Sequence, residues 1–576
     1  MKVAHVYIRN FRGIKSLSWN VDSAFNCIIG AGDTGKTTIL TALDYALTPR
    51  TSLSFDDSDF FEQDVTQRIV IQITLTDWDE TRPEVQTFFQ EKKFAQYKCG
   101  LDQNGPISEP NDTTAISVSL NIDAHLEPKW FVVKGLDADG TEDRAPLWGS
   151  DRNTLGVSRI DIFSDFHFTW GNNTILTRLS ADNQANPNAI LSDLAREMRR
   201  SDISQHPSVA ECQTVADTVK SESKNAGVNL TTLAPKIDLQ RRSMTAGALS
   251  LHEDNVPLRN KGTGSKKLIA AAMQMKLHDG KNVSLIDELE VGLEPHRIRG
   301  LIHKLKNSKQ QIFTTTHSPV VIRELSVSKN ELHVCKRASD GTVTLNSLGT
   351  VPKIQGSVRK NAEAFLGSKV VACEGATEIG CLRAYDVYRF STDNAIVPVW
   401  SLATSYFDCG SLSQVKPVCP KLIELGYRVA ALCDNDDPNQ LSETDTQNLR
   451  EEGVHICQWN EGNSTEMQLT CDLPWSALPQ MLEKIAEYHD TLEHTSILNT
   501  IRKAAQAENF VLPDDVAAWC DSLELRKLIG KAITDGDWIK RMDYSANVFQ
   551  FAFSKLPDES VIKQRLDKLW QWIQDE

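Results

Sequence analysis

The sequence predicts an α/β protein made of two successive parallel-sheet modules and a largely helical C-terminal region. Three observations carry that prediction. Gly30-Ala31-Gly32-Asp33-Thr34-Gly35-Lys36-Thr37 fits G-x-x-x-x-G-K-[ST] and lies between an apolar run, Phe25–Ile29, and the helically spaced stretch Thr38–Leu47. Val283-Ser284-Leu285-Ile286 is an apolar strand that ends in two acids, Asp287 and Glu288. From about residue 368, strand candidates Lys369–Cys373, Ala395–Trp400, Arg428–Cys433 and Val454–Gln458 alternate with helical stretches near 376–389, 413–426 and 441–452. Alternation at this spacing is the pattern of a parallel sheet with both faces covered.

The first element has a chemical reading. Gly30, Gly32 and Gly35 let backbone N–H groups turn inward, with Asp33 and Thr34 completing the loop and Thr38 at its exit. Such a loop at a helix N-terminus cradles phosphates. Lys36 is expected to reach the β- and γ-phosphates, and the Thr37 hydroxyl to ligate Mg²⁺. A plain glycine-rich turn is the competing reading, and the strand and helix on either side disfavour it.

The chain has 576 residues, a hydrophobic fraction of 40% and a charged fraction of 24%, the profile of a soluble globular protein with several domains. No apolar run is long enough to cross a bilayer, and the alternating N-terminus lacks a signal-peptide core, so a cytoplasmic protein with no membrane partner is expected. The 12 cysteines form no C-x-x-C pair, which predicts reduced, mostly buried thiols. A net charge of −15 weighs against a nucleic-acid partner unless basic residues are concentrated locally. The candidates are Arg196, Arg199 and Arg200; Arg241 and Arg242; and Arg259, Lys261, Lys266 and Lys267, each more readily read as a solvated helix face than as a DNA contact.

Residues 1 to about 150 read as β-rich, with strands at Arg68–Leu75 and Ala115–Ile122. A polar helical insertion is expected over about 175–245, before strands return at Val283–Ile286 and Gln311–Thr315. Asp287 would hold Mg²⁺ through water, and Glu288 would orient or deprotonate the attacking water. His317, at the end of the next strand, would sense the γ-phosphate. Between them Lys261-Gly262-Thr263-Gly264-Ser265-Lys266-Lys267 opens a helix, and Gly264 and Ser265 are candidate phosphate contacts.

These pieces resemble the ATP-binding-cassette (ABC) heads of chromosome-maintenance and DNA-repair ATPases. Phe11-Arg12-Gly13-Ile14 matches their N-terminal signature, and Asp287-Glu288-Leu289-Glu290-Val291-Gly292-Leu293-Glu294-Pro295 their acidic segment. The resemblance implies ATP sandwiched between two heads, with the Gly262–Ser265 loop of one facing the P-loop of the other. The usual L-S-G-G-Q signature is degenerate here.

In the second module, Glu374 ends a strand, Gly375 allows a turn and Glu378 follows one helical turn later. Asp434 and Asp436 end another strand. Ligands gather at the carboxyl ends of parallel strands, so Glu374, Asp434 and Asp436 are expected to converge on Mg²⁺ or Mn²⁺. The E-G-x-T-E and D-x-D elements resemble the Toprim fold of topoisomerases, primases and some nucleases. That resemblance adds Glu466 or its neighbour Glu461 as a further carboxylate, and Lys540 to stabilise phosphorane charge.

An ABC head over 1–355, a Toprim module over 356–475 and a helical region over 476–576 together resemble the overcoming-lysogenization-defect (OLD) family of nucleases. Gln355-Gly356-Ser357-Val358-Arg359-Lys360 resembles the linker of Gabija nuclease subunits, and retron-associated OLD effectors share the architecture. The resemblance implies an antiphage, ATP-regulated, metal-dependent DNA endonuclease. Its heads would assemble as a homodimer or homotetramer, with a helicase partner (Gabija-like) or a reverse transcriptase and its DNA (retron-like). Two alternatives stand beside it: a Toprim topoisomerase or primase, and a DNA-clamping ATPase with a non-catalytic Toprim scaffold.

Overall fold

The structure is a computed structural model that describes residues 1–50, 53–92, 94–138, 143–160, 165–171, 174–182, 187–201, 203, 206–225, 231–235, 249–277, 283–349, 354–393 and 396–575. Arg241, Arg242 and Ala395 lie outside these residues. Three sheets organise the molecule. The first is antiparallel, in the order Ile14–Asn20, Lys2–Phe11, Ile69–Thr76, Ile116–Ile122, Lys129–Val133, Arg144–Pro146. Ile69–Thr76 is buried along its whole length, so its polar Gln72 needs partners. It donates to the Gly135 carbonyl at 2.7 Å and accepts from the Asp137 N–H at 2.8 Å.

The second sheet runs Val157–Ile160, Val283–Ile286, Gln311–Thr315, Phe25–Ile29, Leu332–Arg337, Val343–Ser347. All its pairs are parallel except the last. The P-loop strand Phe25–Ile29 is central and buried at every position, which is why it reads as an unbroken apolar run. Helix Lys36–Leu47 leaves its carboxyl end. Helices Ile175–Asp182, Pro187–Arg200 and Pro207–Asn225 fall in the expected insertion.

The third sheet is wholly parallel, in the order Thr404–Asp408, Lys369–Cys373, Arg428–Cys433, His455–Gln458. One strand expectation is corrected here. Val399–Leu402 is a 3₁₀ turn, and the strand follows at Thr404–Asp408, on the sheet edge. Period-two alternation then splits the sheet's residues between two cores. Val371, Cys373, Ala430 and Leu432 pack in one cluster with helices Leu478–Tyr488, His494–Ala507, Leu523–Asp535, Met542–Phe553 and Val561–Gln574. Val370, Ala372, Val429, Ala431 and Cys433 belong to a second cluster that continues through helix Leu412–Glu424 to Val321, Leu332 and Val334 of the P-loop module. The two modules therefore share one hydrophobic core.

A polar contact marks the same junction. Cys335 lies beneath the P-loop, its Sγ 3.3 Å from the Thr34 carbonyl. The next residue, Lys336, holds its ammonium 3.6 Å from the centre of the Tyr427 ring. Burial lowers that ammonium's pKa to about 8. Tyr427 immediately precedes the strand Arg428–Cys433. A chain of direct contacts thus runs from the phosphate loop to the strand that leads into Asp434.

All 12 cysteines are free, and eight are buried, as their spacing predicts. No helix among the described residues is long and apolar enough to cross a membrane.

Helix Met542–Phe553 approaches helix Ala376–Thr392, which covers the third sheet, closely at Gly380. A Cβ there would lie 2.6 Å from the Ser545 Cβ and 2.7 Å from the Met542 carbonyl oxygen. Gly380→Ala is expected to cost about 1–3 kcal/mol through overpacking. The urea midpoint of the full chain measures this. An unchanged midpoint would show that helix Met542–Phe553 is not held against helix Ala376–Thr392.

Candidate functional site

The P-loop has the backbone its chemistry needs. Gly30, Asp33 and Gly35 have φ of 138°, 57° and 97°. At Gly30 no side chain is tolerated, since a Cβ would sit 2.6 Å from the Cys335 carbonyl oxygen. Gly32 faces open space, and Thr34 Oγ1 donates to the Ala31 carbonyl at 3.1 Å. Lys36 is buried and donates to the Gly30 and Ala31 carbonyls at 3.1 and 2.5 Å. Its ammonium therefore satisfies itself on its own loop, and phosphate oxygens would replace those carbonyls. Burial lowers its pKa. Thr38, two residues on, lies in the first turn of the helix.

Asp287 is the hub of this site. Its Oδ1 accepts from Thr315 Oγ1 at 2.5 Å and from Thr37 Oγ1 at 3.3 Å. Its Oδ2 faces the Arg159 guanidinium at 3.4 Å, and Arg159 also donates to Thr41 Oγ1 at 2.9 Å. Thr37 can give its hydrogen to Asp287 while its lone pairs face a cation, the arrangement a bound Mg²⁺ requires. Glu288 follows in a left-handed conformation, φ 44°. Its N–H donates to Thr315 Oγ1 at 2.8 Å, and buried Lys267 donates to the Asp287 and Glu288 carbonyls.

His317 is exposed, and the strand end that carries it is held by Glu290. That carboxylate accepts from the His317 N–H and from Thr316 Oγ1, both at 2.7 Å. Gly264 and Ser265 start helix Thr263–Leu277 beside the Gly292 turn of the same chain, and a Cβ on Gly264 would meet the Gly292 carbonyl oxygen at 2.1 Å. Sequence reasoning assigned no role to Thr315 or Arg159; it named Lys267 only as a candidate basic-patch residue, which proves buried, and Glu290 only within the acidic segment. Thr315 carried one usable signal, a hydroxyl at the end of the strand beside the acidic one.

The second constellation stands at the carboxyl ends of the parallel strands in the third sheet. Glu378, Asp434 and Glu466 are all buried, and Glu374 is half-buried. Thr465 ties two of them, Asp434 and Glu378, together. Its N–H donates to Asp434 Oδ1 at 2.9 Å, while its Oγ1 lies 2.8 Å from Asp434 Oδ1 and 2.9 Å from Glu378 Oε1. Trp459 Nε1 donates to the same hydroxyl at 2.7 Å. A hydroxyl has one hydrogen to give, so both carboxyl contacts are hydrogen bonds only if one carboxyl is protonated.

Electrostatics agree. Burial, then the Asp436 charge, raises the Glu374 pKa to about 7. Burial, then Glu466 and Glu374, raises Glu378 to about 8. Asp434 is pushed well up by burial and by Glu378 and Glu374, and Glu466 is raised by burial. Glu378 also accepts from the Gly375 N–H at 2.8 Å, and Glu466 faces Thr377 and Thr534 hydroxyls at 3.4 and 3.2 Å. Glu374 Oε2 is buried with no hydrogen-bond partner.

The remaining expected residues lie at the rim. Asp436 and Glu461 are exposed. Lys540 is half-exposed and pairs with Asp537 at 2.6 Å, with Glu466 close enough to add to the rise of its pKa. Among the described residues, no group of three or more His, Cys, Asp or Glu side chains is arranged to hold a metal ion. The carboxyls are thus electrostatically coupled, because Coulomb interaction reaches beyond a metal–oxygen bond, but they are not closed on a cation-sized centre. The donor set is all oxygen, and the orphaned Glu374 oxygen is an open valence in it, so its chemistry fits a hard divalent cation.

With this geometry in view, comparison with known proteins is decisive for the first module. A family model described as "AAA domain, putative AbiEii toxin, Type IV TA system" matches residues 25–323. The chain belongs to that AAA-domain family. The match covers the P-loop, Asp287, Glu288 and His317, so the first module is an AAA-type P-loop ATPase domain. No curated protein matches the chain. Among solved structures, "Crystal structure of the SmcHead bound to the C-winged helix domain of ScpA" aligns with 60% of this chain and 98% of its own, at 12% identity and a TM-score of 0.33.

In the AAA domain, Lys36→Ala is expected to weaken ATP binding by about 1.5–3 kcal/mol, the value of a charge-assisted hydrogen bond. Glu288→Gln should keep ATP affinity and slow turnover by roughly 100-fold or more. Equilibrium dialysis and phosphate release measure the two. Unchanged ATP affinity in Lys36→Ala would rule out this loop as the nucleotide site.

Proposed function

We propose that this protein is an ATP-regulated, divalent-cation-dependent DNA endonuclease, of the kind found in OLD effectors, and that it acts in antiphage defence. The observation that carries the reading is the carboxyl cluster of Glu374, Glu378, Asp434 and Glu466, held at the strand ends with one buried oxygen unpartnered. Gathering four acids, three of them buried, is costly unless they are protonated or share a cation. A structural role would be served more cheaply by amides.

In this reading Glu374, Asp434 and Glu466 would hold Mg²⁺ or Mn²⁺, with Asp436 at the outer edge. When bound, the cation would polarise a phosphodiester and lower the pKa of a bound water. The chain's own groups do the rest. Glu378, bonded to the Gly375 N–H and Thr465, orients the turn that carries Glu374. Lys540, once released from Asp537, brings a positive charge to the phosphate. The two heads of a homodimer or homotetramer would close on ATP, and the shared core would pass that change to the second module. The word toxin in the family's description is in keeping with an effector whose activity is damaging when released.

A second reading, an ATPase whose second module is only a DNA-clamping scaffold, has one observation in its favour: the absence, among the described residues, of a preformed metal group. Cleavage separates the two. With Mg²⁺ or Mn²⁺, wild type is expected to cut plasmid DNA, and EDTA, Glu374→Ala or Asp434→Ala to abolish cutting while ATP binding persists. The same assay without nucleotide, with ADP and with ATP should show a dependence that Lys36→Ala removes. Full cleavage by either acid variant would overturn the site; identical rates in every nucleotide state would overturn the regulation.

A further inference from the structure

A cavity of about 880 Å³ lies outside both sites. It opens where three parts of the chain meet: helix Pro319–Glu324 of the ATPase domain, the segment Lys360–Ala364, and the outer face of helix Ala376–Thr392 with the edge strand Thr404–Asp408. Asp408 forms its wall beside the carboxyl cluster, because Asp408 pairs in register with Cys373, the residue before Glu374.

Its lining has two unusual members. Trp400 is 63% exposed, and its ring leans on Phe390, itself 43% exposed, at 6.0 Å between centroids. Exposed tryptophan backed by a second aromatic ring presents a flat apolar face that neither folding nor the core employs. Arg383 lines the same cavity and has no hydrogen-bond or ion-pair partner among the described residues. Arg323 adds a second guanidinium, tethered through Nε to the Arg359 carbonyl at 3.1 Å.

The acids in the wall do not cancel this charge. Asp408 is neutralised by Lys360 at 2.7 Å. Asp386 is buried, accepts from the Val399 N–H at 3.1 Å, and burial raises its pKa. Glu363 is exposed at the rim. What remains is a stacking platform with two guanidinium groups beside it.

We propose that this cavity binds a nucleotide unit, its base stacked on Trp400 and its phosphate held by Arg383 and Arg323. The volume suits one or two nucleotides. Base–aromatic stacking beside arginine is the chemistry by which proteins hold single strands without sequence preference. Two sources share it, a free nucleotide and a DNA strand leading away from the carboxyl cluster. The inference rests on the nuclease reading only for the second source. Because Arg323 and Arg383 belong to different modules, the occupant would bridge them.

Binding of a short oligothymidylate and of free dTMP is measured on the full chain in EDTA, so that loss of cleavage and loss of docking are read separately. Trp400→Ala is expected to weaken oligothymidylate binding by roughly tenfold, and Trp400→Phe to retain most of it. Arg383→Met should lower the slope of log affinity against log salt by about 0.7, one phosphate contact on a single strand. Competition by dTMP would support a free nucleotide as the source, and its failure to compete would support a strand; both keep the site. No binding of either ligand by wild type, or unchanged affinity and salt slope in both Trp400→Ala and Arg383→Met, would overturn it.

Discussion

Repulsion among buried carboxyl groups is the constraint on which the second module depends. Glu374, Glu378, Asp434 and Glu466 come from two strand ends and two helix starts, and a parallel sheet is the architecture that delivers such residues to one place. Thr465 is the common partner of Asp434 and Glu378, and burial with mutual repulsion raises the pKa values of the cluster. The sign of the consequence is fixed. Folded carboxyls with raised pKa values bind protons that the unfolded chain has already released, so the folded state holds the excess. Stability is therefore fullest at or below the ordinary glutamate value of 4.5 and is lost as the pH rises through about 7 and 8, unless a cation takes the protons' place.

The same economy of parts governs the ATPase domain. Asp287 collects hydroxyls from Thr37 and Thr315 and the guanidinium of Arg159, so one carboxylate is held by the P-loop helix and by both strands beside its own. Cys335 and Lys336 then connect the phosphate loop to Tyr427 at the root of the Asp434 strand. Because the head and the third sheet share a core, motion at that junction is resisted by packed side chains. Such a junction favours a small number of discrete arrangements, which is what reciprocal coupling between two sites requires.

What the sequence disclosed follows a physical rule. The P-loop, the acidic strand end and the Glu374 turn were legible because their chemistry is confined to a few consecutive residues between apolar strands. The edge strand was not. Val397, Pro398, Val399 and Trp400 look like a strand, yet Val397 and Trp400 are exposed, whereas in the true strand, Thr404–Asp408, Phe407 alone is fully buried. An edge strand loses the apolar signature that a central one keeps. Arg159 and Thr465 were invisible for another reason. Each matters through contacts with residues far away in the chain, and no local pattern records them. Glu461 and Glu466 could not be separated by spacing; in the folded chain one is exposed and the other buried with the cluster.

The central claim is that these acids form a cation site kept in waiting by protons. Calorimetry of Mn²⁺ binding to the nucleotide-free protein near pH 6.5, repeated in buffers of different ionisation enthalpy, tests it most directly. The account predicts saturable binding with net release of about one proton or more, and loss of both in Asp434→Asn. Saturable binding without proton release, or the same binding and release in Asp434→Asn, would contradict it.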